Sequence, residues 1–199
     1  MAERKKYAAQ RELILAQSNR LFWEHGYAET SMKDIAGACG FRPANIYNFF
    51  ASKEEILFEN LLQEMVEIVT PVRRLRDDES VSPVEALRQF IRNHVLLTLG
   101  EKSASKLLFD VGLKNLSEDN RKRIIRLRDE YDAIGEAIIR RGMKSGVFAK
   151  IDEKIAIFSI ASIIARSRIW YSPKGKYSVD DIIEFIFNFA MNGIGSGKR

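Results

Sequence analysis

The chain has 199 residues, of which 46% are hydrophobic and 30% charged, which is typical of a globular protein with a substantial core. Its longest apolar run, near 155–165, is too short to span a bilayer, and MAERKKYAAQRE lacks the apolar middle of a secretion signal. One cysteine, Cys39, excludes an internal disulfide and indicates a reducing compartment. We therefore expect a cytoplasmic protein with no membrane segment.

The charge is unevenly distributed along the chain. The net charge is +5, and residues 1–53 hold eight Lys or Arg against five Asp or Glu, a balance of +3. Such a bias suits a polyanionic partner. Part of it lies in a basic arm, Arg4, Lys5, Lys6 and Arg11, before and into a first helix predicted at about 6–25. The arm fits a segment that reaches along DNA and equally a solvated, frayed terminus.

That first helix is predicted to turn its apolar residues inward, and Gly26 to end it. The inward residues are Leu13, Ile14, Ala16, Leu21 and Phe22. Trp23 and Tyr27 are expected to pack against later helices.

The stretch TSMKDIAGACGFRPANIYNFFASKEEIL, residues 30–57, reads as two short helices, a tight turn and the start of a long helix. Ser31 and Asp34 have the spacing of a capping box, and Gly40 permits the turn. Pro43 suits the first turn of the second helix, predicted at about 43–49. Its outward side carries groups that donate to base edges and phosphates. The predicted DNA contacts are Thr30, Ser31, Lys33, Arg42, Pro43, Asn45, Tyr47, Asn48 and Lys53.

About 45 residues, with LFWEHGY, TSMKDIA, CG, IYNFF and SKEEIL in order, resemble the DNA-binding domain of the TetR family of transcriptional repressors. Arg42 stands where that family usually has a small hydroxyl residue, and Asn48 where His or Tyr is common, so the operator sequence does not carry over. The alternative is an ordinary helical hairpin of an all-α protein, with Ile46, Tyr47, Phe49 and Phe50 as core residues.

The remainder of the chain predicts further helices, giving an all-α protein of about nine. One runs from about 53 to 76 with Pro71 inside it, followed by helices at about 83–99, 104–116, 118–145, 152–171 and 178–194. The run RKRIIRLRDE is interpreted as a solvated helix face rather than a second DNA contact. We divide the chain into a DNA-binding head at 1–51 and a ligand-binding and dimerisation body at 52–199.

The last two predicted helices are apolar nearly all round, which favours burial against a second copy of the chain. The TetR resemblance implies the same, because its members dimerise through two C-terminal helices of each subunit. The residues predicted for this interface are Ile157, Ile160, Ile164, Ile183, Phe187 and Ile194. A homodimer would read a palindromic double-stranded DNA operator.

The body, with KNLSEDNRKRIIRLRDEYDAI and RIWYSPKGKYSVDDI, is similar to the TetR regulators that respond to acyl-coenzyme A thioesters. Apolar side chains suit the acyl chain of such a ligand. Its coenzyme A phosphates suit the cations Arg166, Arg168, Lys174 and Lys176. The predicted ligand contacts are His94, Phe109, Tyr131, Arg166, Arg168 and Trp170. The same residues fit another apolar or aromatic ligand, or plain core and surface without an effector. A single histidine on an apolar helix face, such as His94, is more often a core residue than a ligand contact.

Enzyme chemistry has little support in this sequence. His25 and His94 are its only histidines, and neither belongs to a metal or nucleophile motif. The tail GIGSGK departs from a phosphate-binding loop, since Asn192 replaces the first glycine and no helix follows. We therefore expect no catalytic site, metal or cofactor. The sequence favours a ligand-responsive DNA-binding repressor, and the alternative is a helical cofactor-binding or interaction module without a DNA target.

Overall fold

The computed structural model describes residues 1–100 and 112–195, and within these ranges the chain forms α-helices and no strand. The helices are α1 Ala2–His25, α2 Met32–Ala38, α3 Pro43–Ile46, α4 Lys53–Val72, α5 Pro83–Thr98, α6 Glu118–Lys144, α7 Glu153–Trp170 and α8 Val179–Ile194. The predicted all-α class is confirmed. The helix predicted at 104–116 lies mostly outside the described residues, and its last part is a 3₁₀ turn, Leu113–Asn115. No described helix combines the length and apolar character that a bilayer crossing requires.

The chain divides into two compact units. The first comprises Met1–Glu64 with the described part of Ala104–Ile124, and the second comprises the described parts of Met65–Ser103 and Ile125–Arg199. Helices α4 and α6 each begin in the first unit and end in the second. In the first unit, α1 packs on α2 and α2 packs on α3.

Helix α1 differs from its prediction in where it starts and which side it buries. It begins at Ala2, so the basic residues Arg4, Lys5 and Lys6 are part of a helix and not an extended arm. The buried stripe is Ile14, Leu15, Ser18, Leu21 and Phe22, whereas Leu13 and Ala16 are exposed. This stripe follows the helical spacing of three and four residues, and Trp23 falls outside it with half its surface exposed.

Helix α4 ends earlier than the predicted residue 76. Pro71 lies in its last turn, and the segment that follows, Arg73–Arg76, is a 3₁₀ helix. Proline lacks the N–H that the helical ladder needs, so a tighter turn replaces the last α-helical turn. Pro71 therefore marks the end of α4.

In the second unit, α5 packs against both α7 and α8, and α7 packs against α8. The turn after α6 folds back so that Phe148 lies against Gly142. A β-carbon added at Gly142 would lie 2.0 Å from the Phe148 ring. Ala149 N–H then donates to the carbonyl of Ile194 at the end of α8, at 2.7 Å. A residue without a side chain is thus required at position 142.

We expect Gly142→Ala to destabilise the protein by about 1–3 kcal/mol, because the added methyl group overlaps the buried Phe148 ring. Gly193→Ala in α8 is the matched control, since outside the backbone of its own helix its added β-carbon meets no described residue within 4 Å, and it should be neutral or stabilising by up to about 1 kcal/mol. Urea unfolding measures both changes. Equal stability of the two variants would contradict this packing.

Candidate nucleic-acid interface and effector site

The first part of the candidate interface is helix α2, whose start is fixed by an N-terminal capping box. The Ser31 hydroxyl accepts from the Asp34 N–H at 3.2 Å, and the Asp34 carboxylate accepts from the Ser31 N–H at 2.9 Å, which completes the predicted capping box of α2. The hydrogen bond with the Ser31 side chain lowers the pKa of the Asp34 carboxyl. Gly40, with φ of 70°, then turns the chain towards α3.

Helix α3 is a single turn, Pro43–Ile46, and Tyr47, Asn48 and Phe49 follow it in a turn conformation. Ile46 and Phe50 are buried and hold this segment to the rest of the unit. The predicted DNA contacts Arg42, Pro43, Asn45, Tyr47 and Asn48 are all exposed along it, as is Lys33 on α2. Guanidinium, carboxamide and phenol groups thus share one short exposed segment.

Three predicted contacts have other partners in the structure. The Thr30 side chain is buried, and its hydroxyl donates to the Gly26 carbonyl at 2.8 Å. The Ser31 hydroxyl is used in the α2 cap. The DNA contacts predicted at Thr30 and Ser31 stay predictions, and both hydroxyls also form hydrogen bonds within the chain.

Lys53 is the third of these residues. Its ammonium donates to the carbonyls of Tyr27 and Thr30, each at 2.7 Å, and of Ala28 at 3.3 Å. It also lies 4.4 Å from the centre of the Tyr27 ring. An ammonium has three N–H donors, which matches these three carbonyls. Lys53 is therefore directed at the backbone between α1 and α2. It holds that connection to the start of α4.

Two of the predicted ligand contacts meet in the core of the second unit. His94 Nδ1 and the Tyr131 hydroxyl are 2.7 Å apart, both side chains are buried, and Phe90 stacks on the Tyr131 ring at 4.4 Å. Burial lowers the pKa of His94 from 6.5 to about 4 and raises the pKa of Tyr131 well above its usual value. The pair is therefore neutral at physiological pH and offers hydrogen bonds rather than charge.

Among the described residues, the other predicted ligand contacts lie on α7. Arg168 donates to the carbonyl of Thr98 at 2.9 Å, one turn of α5 beyond His94. Arg166 and Trp170 are exposed on α7, and Phe109 lies outside the described residues. Sequence reasoning missed Thr98, whose buried hydroxyl has no hydrogen-bond partner among the described residues, and Asp132, whose carboxyl pKa burial raises to about 6.

The predicted dimer contacts are contradicted by their burial within the chain. Ile157, Ile160, Ile164, Ile183, Phe187 and Ile194 are all buried within the chain itself, with at most 8% of their surface exposed. The apolar residues that α7 and α8 leave exposed are instead Ile155, Phe158, Ile169, Trp170, Phe185 and Phe189. Phe185 and Phe189 lie one turn apart with parallel rings 6.3 Å between centres.

Comparison with known proteins identifies the class. Residues 14–59 match the family model described as bacterial regulatory proteins, tetR family, and residues 80–194 match the tetracyclin repressor-like C-terminal domain. The chain belongs to the TetR family of DNA-binding transcriptional regulators. This agrees with the resemblance in the first unit and with a repressor rather than an enzyme.

Individual relatives span nearly the whole chain. The transcriptional repressor KstR2 of Rhodococcus jostii is 23% identical over 197 residues, covering 95% of this chain and 93% of its own. The solved structure of the TetR-family regulator PfmR from Thermus thermophilus is 31% identical, with a TM-score of 0.81 and coverage of 90% and 97%. The complex of AibR with isovaleryl coenzyme A and operator DNA is 24% identical, with a TM-score of 0.80 and the same coverage.

The neutral state of His94 predicts a specific pH dependence of stability. The unfolded histidine takes up a proton below about pH 6.5 but the folded one only below about pH 4, so folding is penalised as pH falls through this window. Between pH 7 and 4, wild type should lose about 3 kcal/mol of unfolding free energy relative to His94→Leu. Urea unfolding of both proteins at each pH cancels the other titrating groups. A constant difference between them would contradict the buried neutral histidine.

Proposed function

We propose that this regulator represses transcription by binding a palindromic operator as a homodimer, and that an acyl-coenzyme A thioester releases it. The division of work between a DNA-binding head at 1–51 and a ligand-binding body at 52–199 is part of this proposal. The observation that carries it is the exposed row of Arg42, Asn45, Tyr47 and Asn48 on and beside a helix whose apolar side is buried.

The chemistry of this row suits direct readout in a major groove. A guanidinium pairs with guanine through two hydrogen bonds, and a carboxamide does the same with adenine. Arg42 precedes Pro43 at the start of α3, and Asn45 and Asn48 lie three and six residues further on, so one short segment presents all three. The Tyr47 hydroxyl suits a phosphate.

We expect Arg42→Ala to weaken operator binding by about 1–3 kcal/mol and to relax base preference at one position of each half-site. Arg126→Ala is the matched control, because Arg126 is an exposed arginine of α6 outside this row. Fluorescence anisotropy with operator variants measures both. If Arg42→Ala weakened all sequences equally, Arg42 would be a phosphate contact and its assignment as a base reader would fail.

The exposed apolar side of α7 and α8 supports the homodimer. Ile155, Phe158 and Ile169 lie on one side of α7, and Phe185 and Phe189 lie on one side of α8. Exposed apolar side chains grouped on one side of a helix mark an interaction site, and two-fold symmetry lets the same surface bind itself. Two heads held by such an interface would read half-sites about 34 Å apart.

We expect Phe185→Glu to dissociate the dimer while the monomer stays folded, because the new carboxylate would lose its water in the interface. Val147→Glu is the control, since it places the same charge at another exposed apolar residue. Sedimentation gives the mass and circular dichroism the helix content. A Phe185→Glu protein that remains a dimer would show that the interface lies elsewhere. Phe187→Glu is unsuitable because Phe187 is buried.

Four observations support an acyl-coenzyme A as effector. The fatty acid metabolism regulator of Bacillus subtilis is 23% identical over 175 residues, and AibR has been solved with isovaleryl coenzyme A. In this chain, the neutral His94 and Tyr131 pair lies in an apolar surrounding, which suits an uncharged carbonyl. Exposed Arg166, Lys174 and Lys176 suit phosphates.

Contacts inside the first unit supply a route for coupling. The Glu54 carboxylate, at the start of α4, accepts from the Ser117 N–H at 3.1 Å and from the Asn120 side chain at 2.9 Å. One turn further on, the Arg123 guanidinium lies 4.7 Å from the Phe58 ring centre. Helix α6 therefore joins α4 at its first turn and carries Tyr131 further along. A ligand that shifts α6 would move these contacts.

We expect a long-chain or aromatic acyl-coenzyme A at micromolar concentration to release the operator, where free fatty acid and coenzyme A act weakly. To empty the operator, the ligand must favour the unbound state by roughly 5 kcal/mol. Arg166→Gln should raise the concentration needed and leave DNA affinity unchanged, whereas Arg126→Gln should change neither. Calorimetry that finds no acyl-coenzyme A binding across chain lengths, in a protein that binds DNA, would exclude this effector.

A further inference from the structure

The recognition segment is too short to hold its own shape. Helix α3 has four residues, and a single helical turn is unstable without outside support because its nucleation cost is not repaid. Ile46 and Phe50 supply buried support from one side. Asn45, Tyr47 and Asn48 are exposed, so the positions of these side chains depend on what holds the turn that follows α3.

Helix α1 contacts the turn after α3 through side chains outside the buried core. The Tyr7 ring stacks on the Phe49 ring, with centres 4.7 Å apart and planes 26° apart. One turn later on α1, the Arg11 guanidinium lies 5.0 Å from the Phe50 ring centre and pairs with Glu59 at 2.7 Å. Two consecutive aromatic residues after α3 are thus each held by a different turn of α1.

A groove of about 290 Å³ lies between these elements. Its lining residues are Tyr7, Gln10, Phe41, Asn45, Asn48 and Phe49. The two exposed carboxamides proposed to read bases, Asn45 and Asn48, therefore line the same groove as Tyr7. Tyr7 itself is 47% exposed, so it belongs to the surface that carries these carboxamides and contributes little to the buried core.

We infer that Tyr7 is a positioning residue for DNA recognition: its ring, stacked on Phe49, fixes the segment that presents Asn45 and Asn48. This inference rests on the proposed function. Removal of the ring makes the turn after α3 more mobile and reduces the difference in affinity between the operator and other DNA sequences. Attraction to phosphates is retained, because the cations of the head are unchanged. The Tyr7 hydroxyl is not required.

The test compares Tyr7→Ala, Tyr7→Phe and Tyr177→Ala, the last being the loss of an exposed tyrosine in the second unit. Each protein is titrated with an operator duplex and a random-sequence duplex at one salt concentration, and its thermal unfolding is recorded. Tyr7→Ala should bind the operator about tenfold more weakly and random DNA within about twofold of wild type. Tyr7→Phe and Tyr177→Ala should match wild type on both duplexes.

Three results would overturn the inference. A Tyr7→Ala protein that discriminates as well as wild type shows that the stack positions nothing. Equal losses on both duplexes make Tyr7 a phosphate contact, and a loss in Tyr7→Phe as large as in Tyr7→Ala assigns the effect to the hydroxyl. If wild type itself fails to prefer any operator over random DNA, the proposed function falls, and the inference falls with it.

Discussion

A one-turn recognition helix is the constraint on which the first unit depends. Four residues cannot sustain helical geometry in water, so neighbouring elements must impose it. The α2 cap sets where the preceding helix begins, Gly40 sets the turn, and burial of Ile46 and Phe50 sets which side faces outward. Exposed polar residues then stand at fixed positions without forming part of the core.

Local interactions were predictable from sequence because their partners are three residues apart. The predicted cap at Ser31 and Asp34 is found, and caps of the same spacing start α5 at Ser82 and α8 at Ser178 with Asp181. The Ser52 hydroxyl likewise accepts from the Glu55 N–H, although the Glu55 carboxylate accepts from Ala51 rather than from Ser52. Side-chain spacing encodes such contacts directly.

Contacts between distant residues were less accessible. Lys53 was predicted as a DNA contact, yet its ammonium also donates hydrogen bonds to three backbone carbonyls 23 to 26 residues away. Nothing in the sequence near Tyr7 signals the stack on Phe49, 42 positions further on. Of the predicted effector contacts, His94 and Tyr131 are paired because α5 and α6 bring them together. Periodicity indicated only that both lie on apolar sides.

The dimer residues show why periodicity alone cannot orient an apolar helix. Both sides of α7 and α8 carry large apolar residues, so the pattern allowed either to face inward. For α7, Gly135 of the neighbouring helix α6 determines which side faces the core. A β-carbon on Gly135 would lie 2.7 Å from the Ile157 side chain, so the absence of that carbon makes room for Ile157 in the core. For α8, the Arg88 guanidinium covers the Phe187 ring at 3.8 Å, which leaves Phe185 and Phe189 outside.

We propose above all that two copies of the chain, related by two-fold symmetry, read DNA sequence through the exposed row of Arg42, Asn45, Tyr47 and Asn48. Selection of bound duplexes from a random pool, followed by sequencing, tests it most directly. The account predicts enrichment of a palindromic motif whose half-sites lie about 34 Å apart, one helical turn. A folded protein that enriches no motif above the starting pool, or only a single unpaired half-site, would contradict it.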